Sequence, residues 1–161
     1  TTKGVSFQKG DQSLTASTYT TLATGIELDW GTITATKTDG KSFAQGDTGK
    51  ISGTYETLSY NDDSWGILSS QTTTGRSFAK GKTSQVASTY VTTVNASDIN
   101  STWGVITSSV TIGKSFAKGS TDLASGTYTT TSFNDSSWGI LSEQTTKGVS
   151  FQKGDQSLTA S

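Results

Sequence analysis

The chain of 161 residues contains no cysteine, histidine, methionine or proline. Without cysteine and histidine it cannot form disulfides, thiolate nucleophiles, imidazole bases or the usual zinc, haem and iron–sulfur sites. No residues repeat in a pattern that suits acid–base catalysis, and the acidic residues do not follow the spacing of a calcium loop. We therefore expect a protein that is not an enzyme, with no metal site and no cofactor.

Apolar and charged residues are also scarce. Ile, Val, Leu and Phe together number 29, or 18% of the chain, and the net charge is −1. The 15 aromatic residues and the low net charge favour a folded protein with a thin core. A pI near 5.2 without a basic patch argues against nucleic acid as a partner. The longest apolar runs fall far short of the roughly 18 residues that span a bilayer, so we expect no membrane insertion.

Small polar residues make up the balance, with 26 Ser, 32 Thr and 18 Gly. Threonine favours β-strands, and glycine and serine favour turns. This composition is typical of β-rich secreted proteins, so we expect an extracellular or cell-surface location.

Self-similarity is the main signal in the sequence. The string G-x-S-F-x-x-G begins at residues 4, 40, 75, 113 and 148. Each of the first four copies is followed by Thr-Tyr and then Trp-Gly, which gives a unit of about 36 residues. The Phe-to-Tyr spacing is always 12 residues and the Trp-to-Phe spacing is always 13, whereas the Tyr-to-Trp spacing varies from 10 to 13. Constant spacings indicate regular structure, and the variable segment indicates a loop.

These spacings predict an all-β fold of tandem three-stranded antiparallel repeats. Units one and three resemble each other (ASTY), as do units two and four (SGTY). An odd number of strands would invert alternate units, so we expect A/B pairs of about 72 residues, each a two-layer β unit. The predicted pairs are residues 1–71 and 72–144. A continuous β-solenoid and a closed four-bladed propeller are the alternatives.

Residues 145–161 are identical to residues 1–17. This segment is the predicted start of a further repeat. Because it ends within a predicted strand, it could also serve as an exchange strand that pairs with a neighbouring molecule.

The aromatic residues supply the candidate site positions. One Phe and one Trp per unit are the predicted core anchors, which are Phe7, Trp30, Phe43, Trp65, Phe78, Trp103, Phe116, Trp138 and Phe151. One Tyr per unit is the predicted ligand-binding residue, because its ring can lie half-buried with an exposed hydroxyl; these are Tyr19, Tyr55, Tyr90 and Tyr128. The turn acids Asp62, Asp63 and Asp135 are interpreted as Asx turns.

The sequence thus favours a structural or adhesive tandem-repeat protein, a segment of a long array or of a self-assembling fibre. Its partner would be itself, as a homo-oligomer or filament, or the neighbouring repeats of a longer chain. A repetitive lectin that binds surface glycans is the alternative. Flat threonine arrays that bind ice are a more distant hypothesis.

Overall fold

The computed structural model describes residues 1–9, 11–152 and 155–159. The fold is all-β, with 67% of the residues in strands. The strands are β1 (Thr2–Gln8), β2 (Asp11–Ile26), β3 (Ile33–Phe43), β4 (Ile51–Asn61), β5 (Leu68–Phe78), β6 (Val86–Val94), β7 (Ile99–Asn100), β8 (Val105–Ile106), β9 (Ser108–Phe116), β10 (Ala124–Asn134), β11 (Leu141–Gln152) and β12 (Asp155–Thr159). Short 3-10 turns cover Ala44–Gly46, Ala79–Gly81, Ala96–Asp98 and Ala117–Gly119.

The long strands form one antiparallel meander in chain order, β1-β2-β3-β4-β5-β6-β9-β10-β11-β12. Nine of them make a continuous ladder, and β12 pairs with the end of β11. β7 and β8 form a separate two-stranded ribbon within the longer connection between β6 and β9. The sheet is open, with β1 and β12 at opposite edges.

The prediction of three strands per unit is wrong. The segment after each Trp and the segment around the next Phe form one strand of 9 to 12 residues, such as β3 and β11. Glycines such as Gly40 suggested a turn, but Gly40 lies within β3, opposite Tyr19 and Tyr55. Each unit therefore supplies two long strands, and an even number of strands does not invert the next unit.

The expected two-layer pairing is also absent from the described residues, where all the long strands lie in one layer. The antiparallel meander likewise differs from a solenoid, and its open edges differ from a closed propeller. β5 runs through the predicted boundary at residues 71/72, and β11 runs through the one at 144/145. The division into 72-residue units thus remains a prediction about the sequence.

Little of this sheet forms a conventional core. The buried hydrophobic residues are Val94, Ile99 and Ala124. Because both faces of a single layer meet solvent, the central strands are covered mainly by the side chains of their neighbours. Within the described residues, no helix is long and apolar enough to cross a membrane.

Two kinds of turn connect the strands, and each kind lies at one end of the strands. The turns after Phe contain a left-handed residue pair, such as Gln45 (φ 55°) and Gly46 (φ 72°), closed by the Asp47 N–H donating to the Ala44 carbonyl at 3.1 Å. Two positive φ angles define a type I′ turn, which matches the twist of a hairpin. The turns that contain Trp-Gly lie at the opposite end of the strands.

Candidate functional surfaces

Tyrosine and glycine alternate in a row that crosses nine strands of the sheet. The register aligns Gly4, Tyr19, Gly40, Tyr55, Gly75, Tyr90, Gly113, Tyr128 and Gly148. Each tyrosine ring leans over the glycine on the preceding strand, and a Cβ at that glycine would overlap the ring. The glycine is therefore required by the close approach of the ring, and Gly40, Gly75 and Gly113 are buried beneath it.

This row brings all four predicted ligand-binding tyrosines onto one face. Tyr55, Tyr90 and Tyr128 are half-buried, and Tyr19, nearest to the β1 edge, is more exposed. Burial raises the pKa of Tyr90, with a further contribution from Tyr128 and Tyr55. The rings therefore stabilise the sheet by covering glycine, while their role in binding a ligand remains a prediction.

Threonines form a second row on the same face, two residues along each strand from the Tyr–Gly row. The row contains Thr2, Thr21, Thr38, Thr57, Thr73, Thr92, Thr111, Thr130 and Thr146. Their hydroxyls bond in pairs, with Oγ1–Oγ1 distances of 2.8 Å for Thr21–Thr38 and 2.9 Å for Thr57–Thr73. Thr92–Thr111 and Thr130–Thr146 form the same bond at 2.8 Å. The hydroxyls thus satisfy one another across pairs of strands.

The opposite face carries charged and apolar side chains. Lys41, Arg76 and Lys114 recur on every second strand of one row, separated by threonines. In the adjacent row, Glu56 forms an ion pair with Lys37, with 2.7 Å between Oε2 and Nζ. The hydrogen bond to Glu56 raises the pKa of Lys37. These charged residues alternate along each strand with the residues of the Tyr–Gly and threonine rows, so their side chains point to the other face. The Tyr–Gly and threonine rows themselves contain no charged residue.

The four tryptophans lie in the turns and are exposed. Their exposed fractions are 85% for Trp30, 84% for Trp65, 73% for Trp103 and 82% for Trp138. In each turn the following glycine has a positive φ of 68° to 73°. The structure therefore places these predicted core anchors at the surface of the chain.

A carboxylate or amide folds each tryptophan turn. Asp62 accepts hydrogen bonds from the backbone N–H groups of Ser64 (3.0 Å), Trp65 (2.6 Å) and Ile67 (2.9 Å). These bonds, with that from Trp65 the largest, lower the pKa of Asp62. Glu27, Asn100 and Asp135 cap the equivalent turns. The Asx-turn interpretation of Asp62 and Asp135 is confirmed, whereas Asp63 accepts only a bond from the Ser64 hydroxyl, at 3.2 Å.

The phenylalanines lie at the other end of the strands, beside the type I′ turns. Phe43, Phe78, Phe116 and Phe151 are half-buried, and Phe7 is 41% exposed. Phe43 follows Trp30 by 13 positions, and 11 of these residues form β3, which is about 35 Å of extended chain. The structure thus brings together neither the nine predicted anchors nor any one Trp and Phe of a unit.

A depression lies between the first two tryptophan turns. It is lined by Trp30 and Trp65 together with Glu27, Asp63 and Ser64. Two exposed indoles beside carboxylate and hydroxyl groups offer apolar stacking surfaces and hydrogen-bonding groups in one place. Among the residues that the structure describes, no group of three or more acidic side chains could hold a metal ion.

Sequence reasoning offered threonine arrays as a hypothesis but missed the glycine row and the alignment of both rows across the sheet. The distance from the first motif glycine to the next tyrosine is 15 residues in all four units (4 to 19, 40 to 55, 75 to 90 and 113 to 128). This constant spacing was a signal that the two residues pair across a hairpin. Comparison of the chain with protein-family models, curated proteins and solved structures found no match.

Proposed function

We propose that this protein is a structural or adhesive extracellular tandem-repeat protein that extends as one continuous β-sheet. The observation that carries the proposal is that the rows begin and end on equivalent residues. Gly4 and Gly148 start and finish the Tyr–Gly row, and Thr2 and Thr146 do the same for the threonine row. The equivalent residues are 144 positions apart, so a further period would continue both rows in register.

One such period contains eight long strands, β2 to β6 and β9 to β11. At about 4.8 Å between strands, it would add about 38 Å to the length of the sheet. Function would then be mechanical and multivalent, because weak contacts made by each unit add along the array. The proposal includes no catalytic step and no cofactor, and the abundance of Thr, Ser and Gly supports an extracellular or cell-surface setting.

The repeated 17-residue segment gives the array a means of joining. Residues 145–152 of β11 have the same sequence as residues 1–8, which include β1, and β12 pairs with β11 as β2 pairs with β1. Part of the proposed exchange segment, residues 153, 154, 160 and 161, lies outside the described residues. We propose that this segment of one chain can replace the corresponding hairpin of another, by strand pairing.

A peptide competition tests strand pairing in the full chain. A peptide with the sequence of residues 1–17 should cap the exchange and shorten assemblies seen by light scattering and electron microscopy. A scrambled peptide of equal composition should have no effect. Assembly that is unchanged by the peptide, and also unchanged after deletion of residues 145–161, would exclude the strand-exchange form of the proposal.

Carbohydrate binding is the second candidate function, and the depression between Trp30 and Trp65 favours it. Sugar rings stack on exposed aromatic faces and hydrogen-bond to carboxylates. Glycan-array binding that is lost in Trp30→Ala and Trp65→Ala would support this site, and loss in Tyr90→Ala would support the tyrosine face instead. Ice binding has less support, since the threonines form only a single row beside the row of tyrosine rings on this face of the described sheet; thermal hysteresis would test it.

A further inference from the structure

The two ends of the strands carry different chemistry. We define the tryptophan edge as the turns at residues 27–32, 62–67, 95–107 and 135–140, which hold all four tryptophans and no lysine or arginine. Its acidic residues are Glu27, Asp29, Asp62, Asp63, Asp98 and Asp135. We define the lysine edge as Lys9 with the turns at residues 44–50, 79–85 and 117–123, which contain Lys50, Lys80, Lys82 and Lys118; the acidic residues in or next to these segments are Asp11, Asp47 and Asp122.

Most of the charged side chains at the two edges lack partners of opposite sign within the described chain. Lys50 pairs with Asp47 at 3.2 Å, whereas Lys9, Lys80, Lys82 and Lys118 form no ion pair with any described carboxylate. The carboxylates of the tryptophan edge bond to backbone N–H or hydroxyl groups rather than to cations. Those bonds lower the pKa of Glu27 and Asp62, so both stay ionised at neutral pH.

Each edge is a continuous row with the same period. On the tryptophan edge, a Cβ at Gly104 would lie 3.0 Å from Ile67 of the preceding turn. On the lysine edge, a Cβ at Gly81 would lie 3.0 Å from the Lys50 Cβ of the preceding turn. In both rows one turn follows every two strands, a spacing of about 9.5 Å. The lysines of one edge can therefore face the indoles and carboxylates of the other in register.

We propose that the tryptophan edge of one chain docks on the lysine edge of a second copy, so that sheets join side by side. Lysine ammonium groups would lie on exposed indole faces and beside turn carboxylates, as cation–π contacts and ion pairs. The contact joins two different surfaces, so it is heterologous and can repeat from copy to copy. This inference rests on the proposed structural function but uses the turn edges rather than strand pairing.

The test uses full-length chains and charge reversal. The first variant carries Lys80→Glu, Lys82→Glu and Lys118→Glu, which makes both edges acidic. The second carries Asp29→Lys, Asp63→Lys and Ser136→Lys, three exposed side chains that do not cap a turn. The matched control carries Lys41→Glu, Arg76→Glu and Lys114→Glu on the sheet face. Sedimentation velocity in 20 mM and in 1 M NaCl measures association.

We expect the wild-type chain and the face control to associate at low salt, and 1 M NaCl to weaken that association at least tenfold. When the peptide of residues 1–17 is present to block strand pairing, each edge variant alone should sediment as a monomer, and an equimolar mixture of the two should associate again. Three results would overturn the inference: a monomeric wild-type chain at low salt, edge variants that associate as the wild type does, or a mixture that stays monomeric.

Two further measurements separate this inference from the other proposals. Association that resists charge reversal but is blocked by the peptide of residues 1–17 would overturn edge docking while supporting strand pairing. A tryptophan edge that binds soluble glycans without self-association would overturn edge docking in favour of a carbohydrate partner.

Discussion

Replacing Gly75 with alanine tests whether tyrosine rings hold the sheet together. A Cβ at Gly75 would overlap the Tyr90 ring, which lies over this glycine from the neighbouring strand. The ring would have to swing away into solvent. If about 100 Å² of its surface became exposed, the loss would be about 2.5 kcal/mol at 25 cal/mol per Å².

Alanine also brings a gain, because glycine within a strand costs about 0.5–1 kcal/mol relative to alanine. The net expectation for Gly75→Ala is therefore a loss of about 1.5–2 kcal/mol in the free energy of unfolding. Urea denaturation followed by far-UV circular dichroism measures this change.

The decisive comparison is the same Gly75→Ala substitution in a variant that lacks the Tyr90 ring. In Tyr90→Thr, no ring covers Gly75, and Thr retains a high β propensity. Gly75→Ala should then stabilise the protein by about 0.5–1 kcal/mol, so the sign of the effect reverses. The same destabilisation in both backgrounds would refute the ring-over-glycine argument.

Three other predictions concern the threonine row, the turns and the tryptophans. A double-mutant cycle with Thr57→Val and Thr73→Val should give a coupling energy of about 0.2–1 kcal/mol, because their hydroxyls bond to each other. Thr38 and Thr57 also face each other on neighbouring strands, but each bonds to a different threonine, so this control pair should couple less. Because the pKa of Asp62 is lowered in the fold, its turn keeps full stability above pH 3.8, the ordinary pKa, and loses it as the pH falls through the lowered pKa. Protection of the turn amides from hydrogen exchange should fall over the same pH range. Asp62→Asn should remove this pH dependence, and Asp63→Asn should leave it unchanged. Acrylamide should quench the fluorescence of the unassembled chain strongly, and weak quenching would contradict the exposure of the four tryptophans.

The sequence predicted the all-β fold and the variable connection between Tyr and Trp, but not the number of strands per unit or the number of layers. The motif G-x-S-F-x-x-G contains two glycines with different roles. The second, such as Gly46, has a positive φ and forms a turn, as its place after Phe suggested. The first, such as Gly40, lies within a strand beneath a tyrosine ring, so the segments after Trp and around Phe, which the spacings predicted as two strands, form one.

The tryptophans were misplaced for a related physical reason. A large aromatic residue at fixed spacing usually marks a core, but the Asx turn interpreted at Asp62 places Trp65 in a tight turn at the surface. The signal for a turn was present in Asp62 and Gly66, which flank it. Burial depends on whether a second layer covers the sheet, and this tertiary property has no local signature.

A sheet without a second layer must gain its stability within the layer, and the rows show how. A tyrosine ring needs a glycine neighbour to lie flat, and a threonine hydroxyl needs a hydroxyl opposite it, so each strand is stabilised by the two strands beside it. The strands at the two ends have only one such neighbour, and within the Tyr–Gly row Tyr19, which leans over Gly4 of the end strand β1, is more exposed than Tyr55, Tyr90 and Tyr128. Adding strands in register gives the former end strands a second neighbour and leaves the number of free ends unchanged. The stability per strand therefore rises with the number of strands, which is a property that the proposed array would use.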